Sequence, residues 1–147
     1  MYVRELTVKY RLRRVRHVPW ASNQFRSPSE TTPLLTALLG NESVEVCGVL
    51  CLSTRFELLG YHELSRGTID AAMVHPRDVF RTALLAHAHC LIVAHNHPSG
   101  DPTPSPDDIA LTHRLKAAGD LLGVQLVDHV IVTLGGRYYS FQEFGLL

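Results

Sequence analysis

The stretch VEVCGVLCL, residues 44–52, constrains the fold more than any other. It is an apolar run broken by one carboxylate, Glu45. Such a run reads as a central strand buried on both faces. A lone buried carboxylate is costly unless it has a partner or an altered pKa. Glu45 is therefore a candidate functional group as well as a structural oddity.

Other elements can be placed around that strand. FELLGYHEL (56–64) reads as a second strand and CLIVAH (90–95) as a third, in the core. HPRDVFRTALLAHAH has Pro76 at a first helical position and apolar spacing at Val79, Phe80, Ala83, Leu84 and Leu85. DDIALTHRLKAAGDLLG is an amphipathic helix stopped by Gly123. VQLVDHVIVTL and RYYSF are final strands joined around Gly135-Gly136, a hairpin signal. RGTID (66–70) reads as a turn or loop. Upstream, Tyr2, Leu6, Val8, Tyr10 and Leu12 fall on even positions, which predicts a half-buried strand. RHVPWASNQFRSPSETTP has no periodicity and reads as a loop. PLLTALLG reads as one short helix closed by Gly40. Strands and helices alternate in mixed order, so the fold class is α/β or α+β. The 147 residues are the usual size of one domain.

Charge is unevenly spread. Residues 1–26 carry seven basic side chains against Glu5 alone, in a chain whose total charge is zero. A basic arm beside an acidic body can contact nucleic acid, dock on its own domain, or simply be solvated. No apolar run approaches the roughly 18 residues of a membrane span, so no membrane partner is expected. Cys47, Cys51 and Cys90 show no CxxC spacing and read as small buried hydrophobes in a reducing cytoplasm.

HAHCLIVAHNH (87–97) holds two His-x-His pairs. His87 and His89 fall at the end of a predicted helix, where residues two apart point about 200° from each other. They cannot clamp one ion. His95 and His97 follow a strand, and on extended backbone residues two apart share a face. Pro98 favours that extended form at His97. Downstream, SPDD is a helix start with Ser105 at the N-cap and Asp108 at N3. Capping alone could explain both residues. With the two histidines, Asp108 also completes a three-ligand set that leaves a fourth tetrahedral position open, as in catalytic zinc sites. Such chemistry needs a base for the attacking water, and Glu45 is the strongest candidate. Asp128-His129 could orient a ligand from behind by a hydrogen bond. A core histidine satisfied by the neighbouring aspartate is the competing account.

HNHPSGDPTPSPDD resembles the signature of the RadC family, a bacterial branch of the JAB/MPN (JAMM) metalloprotease fold. The JAMM pattern is an upstream Glu, His-x-His, seven residues, Ser, two residues, Asp. Here it is met by Glu45, His95, His97, Ser105 and Asp108. RGTID, HPRDVFRTAL and DIALTHRLKAAGDLLGVQLVDHVIV are similar to further RadC phrases. The resemblance implies a three-layer, cytidine-deaminase-like fold with a curved, mostly antiparallel mixed sheet between helices. On this reading residues 43–147 are the zinc domain. Residues 1–42 add a basic strand, loop and short helix packed on it or extending it. The resemblance also implies one Zn2+ held by His95, His97 and Asp108. Glu45 would be the general base, and Ser105 would orient the water or stabilise the oxyanion. The implied reaction is metal-assisted hydrolysis of a peptide or isopeptide bond in a bacterial cytoplasm. JAMM deubiquitinases usually have Ser or Thr between the histidines, where this chain has Asn96, a further candidate to support the ligands.

Two other functions compete. One is a DNA-associated accessory protein using residues 1–26, in keeping with the repair or recombination role in the family name. A metal-dependent nuclease ranks lower, because nucleases more often use carboxylate-rich two-metal sites. A zinc nucleobase deaminase is excluded by the missing P-C-x-x-C ligand pair. A homodimer is expected if a terminal strand leaves an edge free to pair.

Overall fold

The computed structural model describes residues 1–15, 23–67 and 74–147. In chain order the elements are α1 (Pro28–Leu39), β1 (Val46–Leu52), β2 (Leu58–Arg66), α2 (Pro76–Leu85), β3 (Cys90–Asn96), α3 (Pro106–Leu122), β4 (Gln125–Val132) and β5 (Tyr138–Ser140). The strands form one sheet in the order β2-β1-β3-β4-β5. Among the described residues, only β3 and β4 run parallel, joined through α3. The fold is thus α+β, a mostly antiparallel open sheet with helices on both faces.

Strand alternation builds the two cores. From β1 and β3, Val46, Leu50, Leu52, Ile92 and Ala94 face α1 and meet Leu34, Leu35, Leu38 and Leu39. The alternate residues Cys47, Val49, Cys51, Leu91 and Val93 face the other way, onto Val79 and Phe80 of α2 and Leu111 and Leu115 of α3. β1 and β3 are buried along their whole length, as continuous apolar runs require.

Between β3 and β4 the register slips by one residue. Leu91 pairs with Leu126, but Ile92 pairs with Asp128. Val127 is the extra residue, and a bulge of this kind reverses which face the following residues occupy. Leu126 therefore packs toward α3 while Val130 and Val132 pack toward α1. The same reversal carries His129 onto the α3 face, opposite Val93.

Several boundaries differ from the sequence expectation. The helix predicted at PLLTALLG begins five residues earlier, inside what reads as a loop. Ser27-Pro28-Ser29-Glu30 is the reason. Pro28 takes the first turn, and the Glu30 carboxylate accepts from the amides of Arg26 (2.7 Å) and Ser27 (3.2 Å). The N-terminal strand is not formed: residues 1–15 join no ladder, and residues 1–14 are exposed. Alternation makes a segment ready to be half-buried, but a strand also needs a neighbour for its amides and carbonyls. Here the arm instead lays Tyr10 against β2, its ring 3.2 Å from where a side chain on Gly60 would begin. His87 and His89 lie beyond α2 rather than on it. His87 has left-handed φ of 53°, and His89 donates its amide to Leu52 O. The loop at RGTID lies largely outside the described residues, as do residues 16–22 of the upstream loop.

Cys47, Cys51 and Cys90 are free and buried. Burial pushes their thiols up to about 12, 11 and 11 respectively, with the Asp108 charge adding at Cys47. A thiol-specific reagent at pH 8 is therefore expected to label none of the three in the native protein and all of them in denaturant. Leu35 is fully buried between α1 and the sheet. Leu35→Ala should cost about 2–5 kcal/mol in chemical denaturation, whereas Leu121→Ala, 88% exposed, should stay within about 0.5 kcal/mol.

Candidate metal centre

The site forms where β3 leaves the sheet. His95 is buried on the α3 face, paired in register with Cys47 of β1 and Ile131 of β4. His97 lies two residues on, its amide still bonded to Val132 O at 3.0 Å. The extended backbone brings both rings to one side, their Nε2 atoms 3.0 Å apart. Asp108 reaches the same point from the first turn of α3, with Oδ1 3.2 Å from His95 Nε2 and Oδ2 3.5 Å from His97 Nε2. All three donor atoms lie within 4.8 Å of one another.

The capping and metal accounts of Ser105 and Asp108 hold together. Ser105 Oγ accepts from the Asp108 amide at 3.1 Å, and Asp108 Oδ2 accepts from the Ser105 amide at 2.8 Å. The capping box fixes the carboxylate's rotamer and leaves Oδ1 aimed at His95. The intervening loop folds back on itself, with the Asp101 carbonyl accepting from His97 Nδ1 at 2.8 Å. His97 Nδ1 thus carries a hydrogen, so the neutral ring has its lone pair at Nε2. Arg137 donates to Gly100 O, tying the loop to the β4–β5 turn.

Electrostatics suit a cation. The contact with Asp108 raises His97 against the opposing effect of burial, with help from the Asp101 carbonyl and from the charges of Asp108 and Glu45. Burial pushes Asp108 up, but its contacts with His95 and His97 outweigh this and hold it well below the usual carboxylate range. Two histidine nitrogens 3.0 Å apart beside a carboxylate need positive charge between them. A borderline ion with nitrogen and oxygen ligands meets that need, so the donor set fits a metal.

Glu45 stands one residue before β1, half-buried, rather than inside the strand. It is outside the three-residue cluster, but near enough for its charge to raise His97. Its segment is tied down by Asn96, which is buried and sits between the two histidines. Alternation turns Asn96 the opposite way from them. Its Oδ1 accepts from the Val46 amide at 2.7 Å, and its Nδ2 donates to Val44 O (3.0 Å) and Glu42 O (3.2 Å). Arg66 adds a fork to the Glu42 carboxylate, and Gly67 donates its amide to Glu45 O.

Asp128 and His129 part company. Asp128 accepts from Ser140 Oγ (2.6 Å) and the Gln142 amide (3.0 Å), anchoring the turn after β5 on the far side of the sheet. His129 is the one beside the site, with Nε2 2.9 Å from His95 Nδ1. It stacks on Phe141, and burial holds it well below the usual histidine range. Its other partner, Thr112 Oγ1 at 2.7 Å, is absent from the sequence reading. The signal was present: Thr112 stands one turn after Asp108, a hydroxyl between Leu111 and Leu115 on the buried face of α3.

A mixed sheet between helices, with His-x-His at a strand end and a carboxylate at the next helix start, defines a JAB/MPN-type domain that could hold a metal ion. The RadC-like JAB domain matches residues 25–146, and the chain belongs to that family. It is 56% identical over 103 residues to a UPF0758 protein of Thermotoga maritima, covering 70% of this chain and 46% of that one. It is 43% identical over 121 residues to UPF0758 protein STH371 of Symbiobacterium thermophilum, covering 82% and 51%. A UPF0758 protein of Halorhodospira halophila is 48% identical over 121 residues, covering 82% and 54%. The chain spans about half the length of these relatives. No helix among the described residues is long and apolar enough to cross a membrane.

The pKa directions set the acid behaviour of the metal-free protein. Asp108 is depressed in the folded state, so its contribution is complete above its unfolded value of about 3.9 and is lost as pH falls below it. His129 is also depressed, so its loss begins higher, below about 6.5. His97 is raised and acts in the opposite sense, its contribution fading as pH rises through its folded value. The discriminating measurement is thus the difference between wild type and His129→Gln in Tm against pH. The variant is expected to lose less stability than wild type between about pH 6.5 and 5.

Proposed function

We propose that this chain is a zinc-dependent hydrolase domain of the JAMM type, acting on a peptide or isopeptide bond. The observation that carries the reading is the convergence of His95 Nε2, His97 Nε2 and the Asp108 carboxylate on one point. Three protein ligands leave a fourth position for water or substrate, the arrangement of catalytic rather than structural zinc. A zinc ion there would lower the pKa of water to about 7 and polarise the scissile carbonyl.

The remaining steps fall to the chain's own groups. Glu45 takes the proton of the attacking water and passes it to the leaving amine. Asn96 grips the flanking Val44 and Val46, and the Gly67 amide bonds Glu45 O, which holds the half-buried Glu45 near enough for its charge to act on His97. Ser105 Oγ already accepts from the Asp108 amide, and its own hydrogen remains to donate to the oxyanion. His97 is the less buried of the two histidines, so water or substrate would reach the fourth position from its side.

The test is a peptide and isopeptide cleavage screen with zinc content measured in parallel. Glu45→Gln should keep its zinc and lose about 10²–10⁴-fold in hydrolysis. His95→Ala should lose both. Cleavage by Glu45→Gln at the wild-type rate would remove Glu45 as the base.

A further inference from the structure

We propose that Thr112, acting through His129, sets which nitrogen of His95 faces the metal position. The proposal rests on the reading that His95 is a metal ligand.

Thr112 Oγ1 lies 2.7 Å from the Asp108 carbonyl oxygen and 2.7 Å from His129 Nδ1. A carbonyl oxygen only accepts, so the single hydroxyl hydrogen goes to Asp108 O. The Thr112 oxygen is then an acceptor toward His129, and His129 Nδ1 must carry a hydrogen. His129 is fully buried and stacked on Phe141 with ring centroids 4.8 Å apart, a setting that keeps an imidazole uncharged. A neutral ring with hydrogen on Nδ1 has a bare Nε2. That Nε2 lies 2.9 Å from His95 Nδ1, which must therefore be the donor. A neutral His95 then has its lone pair at Nε2, aimed at Asp108 and His97.

Reversing the chain would put the hydrogen on His95 Nε2, where it would block a cation. One hydroxyl, spent on a helix carbonyl, decides between the two. Thr112 also joins two of the three ligands, because the carbonyl it bonds belongs to Asp108. His97 reaches the same tautomer separately, through the Asp101 carbonyl. Thr112 is accordingly a positioning residue that touches neither the metal position nor a substrate.

The experiment uses the full chain, with zinc alone as the ligand. Long-range ¹H–¹⁵N spectra of the metal-free wild type should show His129 protonated at Nδ1 and bare at Nε2. In Thr112→Val the Nδ1–H form should lose population, and zinc affinity, read by competition with a chromophoric chelator, should weaken about 10–100-fold. Thr112→Ser keeps the hydroxyl and should restore both readouts, which a packing role for the methyl group would not do. An Nε2–H tautomer for wild-type His129 would overturn the proposal, even if Thr112→Val fails to fold. An unchanged His129 tautomer in folded Thr112→Val would overturn it as well. Failure of zinc to bind the wild type would refute the hydrolase reading instead, since the tautomer is read without metal.

Discussion

The site depends on the way β3 leaves the sheet. Its last residues and the one beyond alternate in direction while still tied to neighbouring strands. His95 and His97 point toward α3, and Asn96 points away from them. One short extended segment thus presents two candidate ligands on one side and grips the Glu45 segment on the other. The fully buried strand behind it, anchored on β1 and β4, makes that geometry rigid. Asn96 serves both halves at once: its three hydrogen bonds satisfy its own buried amide and fix the distance between Glu45 and the histidines.

Several groups in the site serve two purposes. Ser105 and Asp108 close the N-terminus of α3 with a reciprocal capping box, and the same bonds orient the carboxylate. A cap that only stabilised the helix would be indifferent to where Asp108 Oδ1 points. Here the helix start is docked so that Oδ1 meets His95. Folding energy and the geometry of the candidate ligand are supplied by the same contacts, so damage to the cap would disturb the carboxylate's placement.

Much of this could be read from residue order. The apolar runs at 44–52 and 90–95 announced the inner strands, because burial on both faces leaves no room for polar alternation. His95, His97 and Asp108 were legible because strand period and helix start are local rules. The start of α1 was legible in principle, since Ser27-Pro28-Ser29-Glu30 repeats the logic of Ser105-Pro106-Asp107-Asp108, but the turn formers around it masked the signal. The N-terminal alternation misled for the opposite reason. Period two describes a segment's two faces and says nothing about whether a neighbouring strand is available to pair with it.

The amino-acid sequence by itself determined the candidate ligands, the inner strands and the helix caps, because each depends on residues within a turn or two of one another. Only the tertiary structure decided which neighbours those residues meet. Asp128 and His129 show the difference most clearly. Adjacent in sequence, they read as one unit, yet the bulge at Val127 places Asp128 with the turn after β5 and His129 behind His95. A one-residue slip between parallel strands inverts every side chain beyond it, and pairing register is a property of two strands that are 34 residues apart in the chain where His95 meets His129. No local pattern in either strand could have fixed it.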